Sequence, residues 1–117
     1  MTEAKEQPAT EQLELGVVFA ALADPLRRSM VEELLREPAG VRRKCSSFGL
    51  GVPRSTMTHH FKVLREAGLI TQFDFGNRAE VILRRADLNR RFPGLLELVA
   101  NNSQKAESAR EGAGARG

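Results

Sequence analysis

The sequence predicts a mainly α-helical domain of about five helices carrying one small two-stranded β-hairpin, and three observations support that reading. Apolar residues recur at steps of three and four in separate runs, the spacing of one helix face: Leu26, Met30, Val31, Leu34 and Leu35, then Met57, Phe61 and Leu64, then Leu88, Phe92, Leu95 and Val99. Two strand-like runs, LITQFDF and RAEVILRR, flank Gly76 and Asn77, residues that favour tight turns with positive φ. The chain has 117 residues and 41% hydrophobic content, enough for one modest core. One domain is therefore expected over residues 11–102, between flexible tails at 1–10 and 103–117 that are poor in apolar periodicity.

The first helix is expected from Glu11 onward. Its stripe of Leu15, Val18, Phe19 and Leu22 is joined by Leu13, Val17, Ala20 and Ala21, so it is apolar on more than one side. A helix of that kind in a small domain must hide a second face, and a subunit contact is the favoured way. Asp24-Pro25 marks the next helix start, because the Asp carboxylate accepts from orphan backbone N–H groups and Pro is tolerated at the first helical position. Pro38, Ala39 and Gly40 end that helix. A short helix around Lys44 to Leu50, closed by Gly51, is expected next.

The segment PRSTMTHHFKVLREAGLI then forms the most informative helix, with Ser55 as its cap and Gly68 as its stop. At about 100° per residue, Met57, Phe61 and Leu64 share one face with His60 at its edge, while Ser55, Thr58, His59 and Lys62 share the other. Hydroxyl, imidazole and ammonium groups on one exposed face are a set that bonds base edges and phosphates. After the hairpin, Asp87 to Phe92 reads as a capped turn and Pro93 as the opening of a last helix. Helix, turn, helix, hairpin is the order of a winged helix-turn-helix domain, with the hairpin as wing.

Charge is unevenly spread. Residues 25–91 hold 14 Lys and Arg against seven Asp and Glu, whereas residues 1–24 hold one against five, and 92–117 hold three of each. A compact basic middle suits a polyanion, because neutralising phosphates releases condensed counterions. No stretch approaches the ~20 apolar residues of a membrane span, the N-terminal residues are polar and acidic, and the single cysteine, Cys45, forms no intrachain disulfide; a cytoplasmic protein is expected. No nucleophile with an oriented base, no acid–base pair and no phosphate loop is legible, so an enzyme is not expected.

ALADPLRRSMVEELL and STMTHHFKVLREAGLI resemble the hallmark segments of the ArsR-type winged helix repressors, and the resemblance covers about residues 13–100. It implies a homodimer joined through the first and last helices, with Leu15, Val18, Phe19, Leu22, Leu95, Leu96 and Val99 at the interface. It implies a recognition helix over residues 53–66 in the major groove of double-stranded DNA, with Ser55, Thr56, Thr58, His59 and Lys62 at the DNA, Arg54 where the helix begins, and the wing along the backbone or minor groove. Arg78 at the wing tip is placed to meet a phosphate or a narrow minor groove, or else is a solvated turn residue.

The chain departs from metal-sensing members of that family. The region before the recognition helix holds KCSS, with one thiol, and residues 86–105 hold no His, so neither an arsenical-type nor a His-carboxylate site is expected. His59 and His60 diverge by about 100° and cannot chelate one ion from the same face. No metal site or cofactor is assigned. Two alternatives stay open: a nickel- or zinc-responsive regulator using non-standard ligands or a sensor partner protein, and a winged helix that binds protein.

Overall fold

The computed structural model describes residues 3–104. Its elements run β1 (Glu3–Ala4), a 3-10 turn (Thr10–Gln12), α1 (Leu15–Ala23), α2 (Pro25–Arg36), β2 (Arg43–Lys44), a second 3-10 turn (Cys45–Ser47), α3 (Arg54–Glu66), β3 (Ile70–Asp74), β4 (Ala79–Leu83) and α4 (Arg85–Arg91). A last helix, α5, occupies residues 95–104. The helices surround one core in which Val18, Met30, Val31, Leu64, Leu69, Ile70, Val81 and Leu88 are fully buried.

The expected start of α2 is present in detail. The Asp24 carboxylate accepts from the N–H groups of Leu26 and Arg27 at 2.9 and 3.1 Å, and Pro25 takes the first helical position. Those backbone donations, foremost that of Arg27, hold the Asp24 carboxyl below the ordinary carboxylate value. Arg27 also ties α2 back to α1, its Nε donating to the Ala21 carbonyl at 2.9 Å and its Nη2 to that of Ala20 at 3.4 Å.

The first helix starts later than the sequence suggests. A separate 3-10 turn forms at Thr10–Gln12, and Leu13 falls between the two elements with 1% exposure. The cause is Gly68, which ends α3 at φ +85° and leaves a concavity that the Leu13 side chain fills; a Cβ on residue 68 would collide with Leu13.

Residues 3–10 are not a loose tail. β1 pairs antiparallel with β3, Glu3 opposite Asp74 and Ala4 opposite Phe73, and the Lys5 N–H donates to the Gln72 carbonyl at 2.9 Å. Beyond the strand, Arg84, whose side chain is only 6% exposed, donates from Nη1 to the Pro8 carbonyl at 2.8 Å and from Nε to Asp87 at 3.1 Å. The Thr10 hydroxyl donates to Asp87 at 2.6 Å, and this bond is the largest reason that the Asp87 carboxyl also lies below its ordinary value. A polar, apolar-poor segment thus becomes ordered through backbone pairing and one buried guanidinium, neither of which hydrophobic periodicity reports. Residues 105–117, most of the expected C-terminal tail, lie outside the described ones.

The wing is wider than two strands. The sheet has the order β1-β3-β4-β2, all antiparallel, so the hairpin is flanked on both edges. At its tip the Phe75 N–H donates to the Arg78 carbonyl at 2.9 Å, with Gly76 at φ +86°. No non-Gly residue has positive φ among the described residues, so Gly76 alone takes the left-handed position and Asn77 does not share it.

Two further expectations change near the end of the chain. Residues 85–91 form a true helix, α4, rather than a capped turn. Pro93 does not open the last helix: Pro93 and Gly94, the latter at φ +91°, make the turn, and α5 begins at Leu95. Leu95, Leu96 and Val99 on α5 are buried, and Ser103 accepts from Arg36 of α2 at 3.1 Å, so the inner face of α5 is committed within the chain.

Replacing Gly68 by Ala is expected to lower stability by about 1–3 kcal/mol, through the left-handed φ and the collision with Leu13, as read by urea unfolding. Asp24→Ala is expected to cost about 1 kcal/mol as a lost helix cap. Because the folded-state values of Asp24 and Asp87 are depressed, their stabilisation is present above the unfolded-state value near ~3.9 and is lost as pH falls through the folded values. Acid titration of unfolding should therefore show stability falling below about pH 4, with a shallower acid limb in the Asp24→Asn, Asp87→Asn double variant.

Candidate nucleic-acid interface

Helix α3 divides cleanly around its axis. His60, Phe61 and Leu64 are buried, with 0% exposure at Leu64, and Met57 packs against the same core. The opposite arc, Arg54, Ser55, Thr58, His59, Lys62 and Glu66, is exposed. The structure thus brings Arg54, Ser55, Thr58, His59 and Lys62 onto one free face. Thr56 is half-buried and lies at the flank of that face rather than its centre.

Local bonds set the resting state of these groups. The helix begins at Arg54 behind Pro53 and no side chain caps it, so Ser55 is not the cap; it sits one residue inside the helix with its hydroxyl outward. The Thr58 hydroxyl donates to the Arg54 carbonyl at 3.0 Å, which leaves its oxygen lone pairs as acceptors toward solvent. Lys62 stands 3.9 Å from Glu66, with both side chains more than 60% exposed, a pairing weak enough to yield to a phosphate.

His60 faces the other way. It is 5% exposed and its Nδ1 accepts from Arg27 Nη1 at 3.5 Å, which links α3 to the guanidinium that already holds the last turn of α1. Its Nε2 is buried without a protein partner among the described residues. His59 and His60 have ring centroids 6.1 Å apart and serve opposite faces.

The segment before α3 departs from the expected short helix. Only a 3-10 turn forms at Cys45–Ser47, preceded by the two-residue strand β2. Gly49, Gly51 at φ +69° and Pro53 disfavour continuous helix, and Arg43 takes up the turn instead: it donates to the Ser47 hydroxyl at 2.8 Å, the Ser47 carbonyl at 3.0 Å and Glu33 of α2 at 3.1 Å. Phe48 anchors the loop, buried edge-on against Phe61 with centroids 5.8 Å apart. Sequence reasoning missed Arg43 as the organiser of this turn, since its role depends on Glu33, ten residues away and on another helix.

At the wing tip, Arg78 stacks over the Phe75 ring at 4.4 Å and its Nε lies 3.7 Å from Glu80. It is half-exposed and held, rather than a freely solvated turn residue. Cys45 is half-buried, and burial, reinforced by Asp74 and Glu80, pushes its thiol up to about 11. No group of three or more His, Cys, Asp or Glu able to hold a metal ion occurs among the described residues, nor is any of their helices long and apolar enough to cross a membrane.

With this geometry established, similarity to known proteins agrees with it. The helix-turn-helix domain family matches residues 22–72, from the end of α1 into β3. Among solved structures the chain is similar to an ArsR-like transcriptional regulator from Rhodococcus sp. RHA1, with 25% sequence identity and a TM-score of 0.54, covering 83% of this chain and 90% of that one. No curated protein matches the chain. The chain thus holds a helix-turn-helix domain, and its fold is similar to that of an ArsR-like transcriptional regulator.

The thiol prediction follows from burial. At pH 8 the Cys45 thiolate is about a thousandth of the population, so iodoacetamide should label the folded protein far more slowly than the urea-unfolded chain; equal rates would contradict the burial described.

Proposed function

We propose that the protein is a homodimeric repressor that reads a pseudo-palindromic operator, placing one α3 from each subunit in successive major grooves about one helical turn apart. The observation that carries this reading is the free arc of α3. Arg54, Ser55, Thr58, His59 and Lys62 are exposed, while His60, Phe61 and Leu64 on the opposite arc of the same helix are buried. Ser55, Thr58 and His59 supply donors and acceptors for base edges, Lys62 and Arg54 supply charge for phosphates, Thr56 borders the face, and Arg78 reaches the flanking backbone. Bound across a promoter, such a dimer blocks polymerase in the cytoplasm.

The dimer reading rests on apolar surface that one chain leaves uncovered. Leu15, Val17 and Phe19 on α1 are 42%, 50% and 51% exposed, and Leu98 on α5 is 64% exposed. Val18, Leu22, Leu95, Leu96 and Val99 are spent in the chain's own core. Of the seven residues the family resemblance implies at a subunit contact, only Leu15 and Phe19 remain available, and Val17 and Leu98 join them. Exposed side chains of this size on the first and last helices are the surface a second copy would cover.

Lys62→Ala should weaken binding to every duplex sequence and reduce the salt dependence, by about 0.9 in the slope of log K against log salt. Thr58→Ala and His59→Ala should also change which sequences a random library enriches. Wild-type sequence preference in both would remove the proposed reading face. Phe19→Glu with Leu98→Glu should give a folded monomer in sedimentation and weaken operator binding, whereas an intact dimer would place the subunit contact elsewhere.

A further inference from the structure

One guanidinium joins three helices. Arg27, in the first turn of α2, donates from Nε to the Ala21 carbonyl at 2.9 Å and from Nη2 to the Ala20 carbonyl at 3.4 Å, both in α1. Its Nη1 lies 3.5 Å from His60 Nδ1 on α3. A guanidinium has donors only, so this bond requires a lone pair on Nδ1 and puts the single proton of the neutral ring on Nε2. That second nitrogen is buried with no partner among the described residues, and His60 as a whole is buried.

A second proton on the ring would go to Nδ1 and there meet a guanidinium N–H, a donor facing a donor and two like charges out of water. Among the described residues no other charged group offers that proton an acceptor. α1, Leu15–Ala23, has no titratable residue. At the start of α2 the Asp24 carboxylate attracts an imidazolium, but its hydrogen bonds go to the N–H groups of Leu26 and Arg27 and none goes to the ring. β3, packed on α3, has one carboxylate, Asp74, which pairs with Lys5 at 3.0 Å. On α3 itself the residues one turn away, Thr56, Met57, Val63 and Leu64, are uncharged, and the ring of His59 is centred 6.1 Å away.

We propose that His60 is a positioning residue whose neutral ring, bonded to Arg27, holds the exposed arc of α3 at its working angle to α1, so that protonating the ring releases the arc and weakens DNA binding. The proposal rests on the DNA-binding reading above and adds proton control to it. Burial of Phe61 and Leu64 seats α3 on the core, and the Arg27–His60 bond adds a directional tie from α3 to α1. His59, the next residue, stands on the exposed arc, so a shift of the backbone at His60 is carried to a side chain offered to a base or phosphate. The sign follows from linkage. The duplex-bound form keeps the neutral ring and holds one proton fewer than the free form at low pH, so affinity falls with pH by at most about tenfold per unit. His59 acts in the opposite direction, because a proton on its exposed ring adds charge toward phosphates.

The test is affinity for the duplex sequence that the wild-type protein enriches from a random library, at constant salt between about pH 7.5 and 5.5, where an imidazole titrates. His60→Gln keeps an oxygen that can accept from Arg27 and does not titrate. The ratio of wild-type to His60→Gln affinity is expected to fall with pH, by up to about tenfold per unit, which removes the common contribution of His59. At the higher pH His60→Gln is expected to bind more tightly than His60→Leu, which has no acceptor. Helical circular dichroism of the wild-type protein should stay constant over the range. Nitrogen NMR of the wild-type protein needs no variant: Nδ1 of the buried ring is expected to be unprotonated at the higher pH. A proton on Nδ1 there, the same pH profile in wild type and His60→Gln, or loss of helix over the range overturns the proposal and leaves the α3 reading standing. Absence of duplex binding by the wild-type protein at either pH overturns both.

Discussion

The one-sided burial of α3 is the constraint on which the rest of the molecule depends. Phe61 and Leu64 are inserted into the core from one face, and Phe48 closes over Phe61 from the loop before the helix. Burying side chains of this size contributes about 1.5–3 kcal/mol each, which fixes the rotation of the helix about its own axis. Rotation is what the function needs fixed, because a turn of one residue position, about 100°, would replace the hydroxyl and ammonium face with methionine and phenylalanine. Arg27 adds a polar tie to the same helix through His60 while gripping the end of α1, so the helix with the exposed polar face and the helix with the uncovered apolar surface are referenced to one guanidinium.

The sheet follows from a second set of constraints. Gly76 allows the tight hairpin, and the hairpin edges are then covered on both sides, by β1 from the N-terminal residues and by β2 from the segment before α3. Edge strands of only two residues leave a short row of unpaired backbone groups on either side of the wing. The two flanking strands are held differently. β1 depends on the buried Arg84 and its bonds to Pro8 and Asp87, whereas β2 depends on Arg43 bridging Ser47 and Glu33. Both arginines act as structural cross-links, so the basic residues of the middle segment are not all available to a polyanion.

How much of the site was legible depends on the range of the interaction involved. The exposed face of α3 was readable because it is a local periodicity: positions 55, 58, 59 and 62 share a face whatever surrounds them. The Asp24-Pro25 helix start was readable for the same reason, its bonds spanning two and three residues. The expected helix at Lys44 to Leu50 failed because Gly49, Gly51 and Pro53 disfavour it and because Arg43, tied to Glu33 on α2, takes the carbonyl of Ser47. Ser55 lost its expected role as cap because the helix began a residue earlier, behind Pro53. The approach of Arg42 to Glu80 was invisible, since it follows from the pairing of β2 with β4 across the chain.

The sequence by itself determined α2, α3, the hairpin and the apolar faces of the main helices, because helix and strand periods, Gly and Pro punctuation and side-chain capping act over a few residues. It also determined that the middle of the chain is basic. Tertiary structure decided which of those apolar side chains the chain buries and which it leaves exposed: Val18, Leu22, Leu95, Leu96 and Val99 went inward, and Leu15, Val17, Phe19 and Leu98 stayed out. It likewise decided which arginines are cross-links and which are free charge. Both decisions depend on where distant segments meet, and that is set by packing the whole core at once rather than by any local pattern.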